Sequence, residues 1–292
     1  MREEMRRQDW RDLFELLQKV WQEKILEEVG RGELLRMDED VFVTCAPEGQ
    51  PFSLTFFEGK EGLNHYFMSK EAPQIGITPE FSYYSQRCLR CGYRPGKELS
   101  PEQLQLAVGM GEGGVWPTAV SFLPGYFPCA PDQREGQRMI KYLGNILQRK
   151  IWPAGELPFT TYQFGELELS DDRLLRDLAA ASKTETVLQA DVAYMGISAK
   201  DPQQERAGNP MVYFLTDAGT GRKVNFEILE TGKDALLALA GALIRYIMEW
   251  GIPRAIRVPN DVVASVLAGI CREAGIELKV EKKSRNVLTR DQ

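Results

Sequence analysis

At 292 residues the chain exceeds one average domain of roughly 150 residues, which predicts two cores. Hydrophobic residues at 43% and charged residues at 27% are globular proportions. No stretch approaches the roughly 18 uninterrupted apolar residues that a membrane span requires, so no membrane partner is expected. A formal charge of -6 excludes a global attraction for polyphosphate and confines any nucleic-acid surface to a local patch.

The single histidine, His65, excludes catalytic or metal sites that need two imidazoles from one chain. It stands in EGLNHYFMSK beside two aromatic residues and reads as a half-buried structural histidine. The five cysteines are odd in number, and MREEMRRQDW leads into an amphipathic pattern rather than an apolar core with a cleavage site. Reduced thiols and a cytoplasmic protein are therefore expected.

Trp10, Leu13, Phe14, Leu17, Val20, Trp21 and Ile25 recur at three- and four-residue spacing, which predicts a helix ending near Gly30. VFVTCA (41–46) and FSLTFFEG (52–59) flank the turn-forming PEGQP and read as paired strands, with a further strand over Phe81 to Cys88. SPEQLQLAV carries a helix start at Ser100, GMGEGG follows, then WPTAVSFLPGYFP and a helix from Asp132 to Gln148. The N-terminal half is thus α+β. Two prolines and a glycine in IWPAGELPF interrupt the pattern, which places the domain boundary near 160, with domains 1–160 and 161–292.

Beyond it, DDRLLRDLAAAS predicts a short helix, and TVLQADVAYMG, MVYFLTD (211–217) and KVNFEILE (223–230) predict three strands, the last two closed by DAGTG. DALLALAGALIRYIMEW is a long buried helix stopping at Gly251. AIRV is a strand, DVVASVLAGICREAG a helix with Asp261 at its start and Gly275 at its end, and IELKVE a last strand. A hairpin set continued by two helical crossovers implies a mixed five-stranded sheet with the strand of Asp191 at its centre, between the strands at 211–216 and 254–258.

This order resembles the ribonuclease H-like fold. LQADVAY is similar to the first strand of retroviral-type integrases and transposases, FLTDAGTGRKV to their hairpin, and PRAIRVPND with CREAGIELKV to their fourth strand, second helix and fifth strand. The whole arrangement also resembles uncharacterised bacterial two-domain proteins of unknown function, through Trp116-Pro117 and Pro124 to Pro128. That second likeness implies no activity.

The first resemblance implies a site of paired divalent metals held by several acids. Asp191 takes the first-strand position. The fourth strand ends in Pro259, Asn260 and Asp261, where Asn260 would put a neutral amide in place of a charged ligand, while Asp261 also suits a helix N-cap. The third acid normally comes from a helix after the fifth strand, but only EKKSRNVLTRDQ follows Val280, and neither Glu281 nor Asp291 fits easily.

Other motifs read as structural. Asp217 opens a glycine-rich turn and is expected to bond its amides. Cys88 and Cys91 have the spacing of half a zinc site without a second close pair, so they are metal candidates with no zinc expected. Gly109, Gly111 and Gly114 spell GxGxxG in reversed context, a helix before and Trp-Pro after, and no Gly-Lys pair is followed by Ser or Thr. Lys279, Lys282, Lys283, Arg285 and Arg290 form a basic run that suits edge protection or, alternatively, phosphate attraction.

The leading expectation is a non-catalytic binding or interaction protein with a degenerate ribonuclease H-like domain, no cofactor, and a protein or nucleic-acid partner. The alternative is a nuclease or phosphotransferase that uses Asp191 and Asp261 with Mg or Mn. A third class is small-molecule binding in a cleft between the domains.

Overall fold

The computed structural model describes residues 2–26, 32–47, 50–199 and 205–282. They divide into two compact units, one drawn from Met1–Phe67, Ser85–Tyr162 and Pro202–Arg206, the other from Met68–Tyr84, Gln163–Asp201 and Ala207–Gln292. Among the described residues no helix is long and apolar enough to cross a membrane.

The first unit is a six-stranded antiparallel sheet in the order β5-β4-β3-β2-β1-β6: β1 (Leu34–Asp38), β2 (Val41–Cys45), β3 (Ser53–Glu58), β4 (Cys88–Pro95), β5 (Val115–Phe122) and β6 (Trp152–Pro153). Side chains alternate across its faces. Leu54, Phe56, Leu89, Cys91, Tyr93 and Ala119 share a core with the apolar stripes of α1 (Arg7–Gln22) and α5 (Gln133–Leu147). Leu13, Leu17, Met139 and Leu143 are fully or almost fully buried there, and truncating such a side chain to Ala costs about 2–5 kcal/mol. On the reverse face Phe42, Phe57, Cys88 and Phe122 pack with Leu63 and Phe67 of α2 (Gly59–Glu71).

Helix α1 stops at Gln22, short of the expected Gly30, because Lys24 turns into the left-handed region at φ 52°. Ile25 and Leu26 still bury beyond it, and residues 27–31 lie outside the described set. The strand expected over Phe81 to Cys88 is instead α3 (Pro79–Tyr84), followed by β4, which begins at Cys88. Pro79 opens the helix, and Thr78 Oγ1 accepts from Phe81 N–H at 3.2 Å. These terms, with ring contacts from Phe81 and Tyr84 to Tyr194, outweigh the strand propensity of the aromatic residues.

The start of α5 holds a dense polar network. Asp132 and Glu135 form a capping box, and Glu135 also accepts from Arg2 (2.9 Å), Ser121 Oγ (2.8 Å) and Arg206 (2.6 Å). Burial pushes the Glu135 carboxyl up, but the Asp132 amide, Ser121 and the two arginines outweigh it and hold the group below its ordinary value.

The second unit carries a mixed five-stranded sheet in the order β11-β10-β7-β8-β9. β7 (Val187–Tyr194), β8 (Met211–Asp217) and β9 (Lys223–Leu229) are antiparallel, while β10 (Ala255–Val258) runs parallel to β7 and β11 (Glu277–Val280) parallel to β10. The strand of Asp191 is therefore central, as the element order implies. Leu188, Ala190, Val192, Tyr213 and Leu215 share a core with α7 (Ala235–Trp250) and α8 (Asp261–Ala274), and Leu178 of α6 (Asp172–Ala180) joins it. Asp234 caps α7, and Gly275 ends α8 in the left-handed region at φ 68°. The cap of α8 is Asn260, one residue before the expected Asp261.

Candidate functional site

Asp191 sits mid-strand in β7, directly across from Phe214 of β8. Because Leu188, Ala190 and Val192 face the helices, alternation turns Asp191 to the opposite side of the sheet. The residue is 8% exposed, and its Oδ1 accepts from Val192 N–H at 2.7 Å. Among the described residues no other donor reaches it. Burial pushes the carboxyl up to about 6, offset only in part by that amide.

At the end of β10 the residues are already engaged. Asn260 is buried, and its Oδ1 accepts from Val263 N–H at 2.9 Å, so its carboxamide oxygen serves as the helix cap. Asp261 occupies the first turn of α8, where its carboxylate pairs with Lys282 at 3.3 Å and its N–H donates to Ile75 O at 3.0 Å. Lys282 also donates to Gln74 O. A Cβ built on Gly76, whose φ is +74°, would stand 3.0 Å from Pro259 O and 3.3 Å from Asn260 Cβ. Residues 74–76 therefore pack directly onto the turn between β10 and α8, a closeness that only glycine permits. Glu281 pairs with Arg257 at 3.3 Å. Among the described residues no three His, Cys, Asp or Glu side chains converge as a metal site would need, and Asp291, Lys283, Arg285 and Arg290 lie outside that set.

Cys88 and Cys91 are three apart within a single strand, and the period of two sends them to opposite faces. Cys88 belongs to the cluster with Phe42 and Phe122, Cys91 to the core beneath α1 and α5. Burial pushes the Cys88 thiol up to about 12 and raises Cys91 as well, so both favour the protonated form. His65, in α2, has its Nδ1 buried without a hydrogen-bond partner, and desolvation lowers its pKa to about 4. Asp217 Oδ1 accepts from Gly219 N–H at 2.9 Å and Thr220 N–H at 2.8 Å, closing its own turn. The glycine-rich stretch meets Trp116 at Gly111, where a Cβ would come within 2.6 Å of the indole, while nothing lies within 4 Å of a Cβ at Gly109 or Gly114.

The first unit also holds a pair of arginines in β4 that no motif marks. Arg90, Gly92 and Arg94 alternate along β4 and border a cavity of about 310 Å³ together with Ser53, Thr118 and Glu98. The signal was present in CLRCGYRP as two arginines four apart in a strand, on the same face as the intervening glycine.

Fold and sites together define a protein of two compact units, one built on an antiparallel sheet and one on a mixed sheet. Residues 10–150 match the family described as domain of unknown function DUF7309, and residues 174–288 match domain of unknown function DUF6930. No curated protein matches the chain. Among solved structures it is similar to a chain in the crystal structure of a pre-cleavage Mos1 transpososome, with 14% identity and a TM-score of 0.22. That match covers 51% of this chain and 54% of the other, so it spans about half the length of the chain it resembles.

Proposed function

We propose that the protein acts by binding rather than by catalysis, its second unit being a ribonuclease H-like module that lacks the fold's full set of acids. The strand order, an antiparallel hairpin set extended by two parallel strands, supports that fold reading. The observation that carries the function is the state of Asn260 and Asp261 at the end of β10. An amide stands there with its oxygen committed to capping α8, and the adjacent Asp261 is neutralised by Lys282. Two-metal phosphodiester cleavage needs several anionic oxygens at one point, and hard cations such as Mg²⁺ bind poorly without them.

The alternative, a nuclease or phosphotransferase using Asp191 and Asp261 with Mg or Mn, would have to break the Asp261–Lys282 pair and recruit a further acid. Five cysteines outside any disulfide, four of them buried, support residence in a reducing compartment such as the bacterial cytoplasm. The partner class in this reading is protein or nucleic acid. Incubating the full chain with single- and double-stranded DNA and RNA in Mg²⁺ or Mn²⁺ tests it. No cleavage is expected, and cleavage that disappears in Asp191→Asn overturns the reading.

A further inference from the structure

The cavity bordered by Arg90, Gly92 and Arg94 of β4 also touches Tyr93, while Leu89 and Cys91 alternate to the face packed beneath α1 and α5. Gly92 pairs with Ser53 on one side and Thr118 on the other, and no side chain fits at its position: an added Cβ would meet the Phe52 carbonyl and the Ser53 backbone. The sheet is therefore indented between its two arginines.

Arg90 is held in place before any ligand arrives. Its Nε donates to Thr55 Oγ1 at 3.1 Å, its Nη2 to Gln86 Oε1 at 3.1 Å, and its guanidinium lies 4.8 Å from the Phe122 ring centroid. None of these contacts uses Nη1, and no acid neutralises the charge among the described residues. The Arg94 side chain makes neither a hydrogen bond nor an ion pair among the described residues. Glu98 borders the same cavity without pairing with either arginine. Two half-buried guanidiniums against one carboxylate leave local positive charge in a chain whose net charge is -6. Half-buried cations with unused donors favour an anion that brings several acceptor oxygens.

We propose that this cavity binds a phosphate group, as inorganic phosphate or a small phosphate monoester, with Arg90 and Arg94 each donating to its oxygens and the Ser53 hydroxyl adding a further donor. A tetrahedral dianion suits two separate guanidinium forks better than a planar carboxylate, which one fork satisfies alone. The volume, about 310 Å³, exceeds what a bare phosphate needs and leaves room for a small ester group. This proposal is independent of whether the second unit is catalytic.

The test is isothermal titration calorimetry of the full chain with inorganic phosphate at constant ionic strength, with acetate as comparator and a single-stranded oligonucleotide as a separate arm. Saturable one-site phosphate binding is expected, stronger than acetate. It should weaken at least about tenfold in Arg94→Gln, less in Arg94→Lys, and vanish in Ser53→Asp, which adds a carboxylate to the cavity. Arg94 has no partner to lose, so the Arg94 variants should melt within about 2 °C of the wild type. Absence of saturable phosphate binding, binding unchanged in both Arg94→Gln and Ser53→Asp, or binding confined to the oligonucleotide would each overturn the proposal.

Discussion

Each unit holds a carboxylate largely out of water, and the two are treated oppositely. Glu135 in the first unit accepts from a backbone amide, a hydroxyl and two arginines, and stays below its ordinary value despite burial. Asp191 in the second accepts from the amide of its own neighbour and rises to about 6. Burial alone thus does not make a charged site. A carboxylate stays ionised where donors and cations compensate for lost water, and moves toward protonation where they do not. Asp191, mid-strand in the second sheet, is the one without such compensation.

The largest expected effect breaks the compensated side. Glu135→Ala leaves Arg206 without its acid and Arg2 with Asp132 alone, and removing one partner of a part-buried, hydrogen-bonded ion pair costs about 1.5–3 kcal/mol. Chemical denaturation measures this, and a loss below about 1 kcal/mol would show that the network contributes little.

Asp191→Asn should do the reverse and stabilise the protein at pH 7. The folded-state value of about 6 lies roughly two units above the ordinary 3.8, and each unit corresponds to about 1.4 kcal/mol, so a gain of about 1–3 kcal/mol is expected. Folding takes up a proton between those values. Wild-type stability from this group is complete below 3.8 and lost as pH rises through about 6, so the variant's advantage should shrink to nothing near pH 4. Glu135 has the opposite sign: its contribution is present above the ordinary glutamate value and lost as pH falls through its depressed one.

His65 sharpens the same comparison, since its neutral form is favoured and its value falls to about 4. Folding releases a proton between 6.5 and about 4, so stability drops as pH falls through that window, and His65→Phe should flatten the drop by about 1–2 kcal/mol. The smallest effects belong to the thiols. Cys88→Ala and Cys91→Ala should each cost about 1 kcal/mol, from lost packing in two different clusters. Elemental analysis of protein purified without added metal should find no stoichiometric zinc. One equivalent that is lost in both variants would contradict the opposite-face geometry.

The second sheet was largely legible because its signals are local and agree with one another. The Asp217 turn fixes the hairpin, Asp234 and Gly251 delimit α7, and Gly275 closes α8. The first unit was less so. PEFSYY has strand-like composition but becomes helical through Thr78, Pro79 and a tertiary contact with Tyr194, which lies more than a hundred residues further along. Strand β1 was missed because LLRMD carries little β-branched character and owes its place to pairing with β2. In the candidate site, the sequence offered Asp261 as the helix cap, whereas the capping role falls to Asn260 through a one-residue difference in where α8 begins. The packing of Gly76 against Pro259 links positions far apart in sequence and leaves no local trace.

The most direct test is the melting temperature of wild type and Asp191→Asn, each with and without Mn²⁺ at matched ionic strength. A metal at about a hundred times its dissociation constant would add roughly 2.7 kcal/mol to a folded state that holds it. Under the non-catalytic reading, Mn²⁺ leaves both proteins unchanged and Asp191→Asn melts higher than wild type at pH 7. A saturable Mn²⁺ shift in the wild type that disappears in Asp191→Asn would contradict it and assign Asp191 to a working metal site.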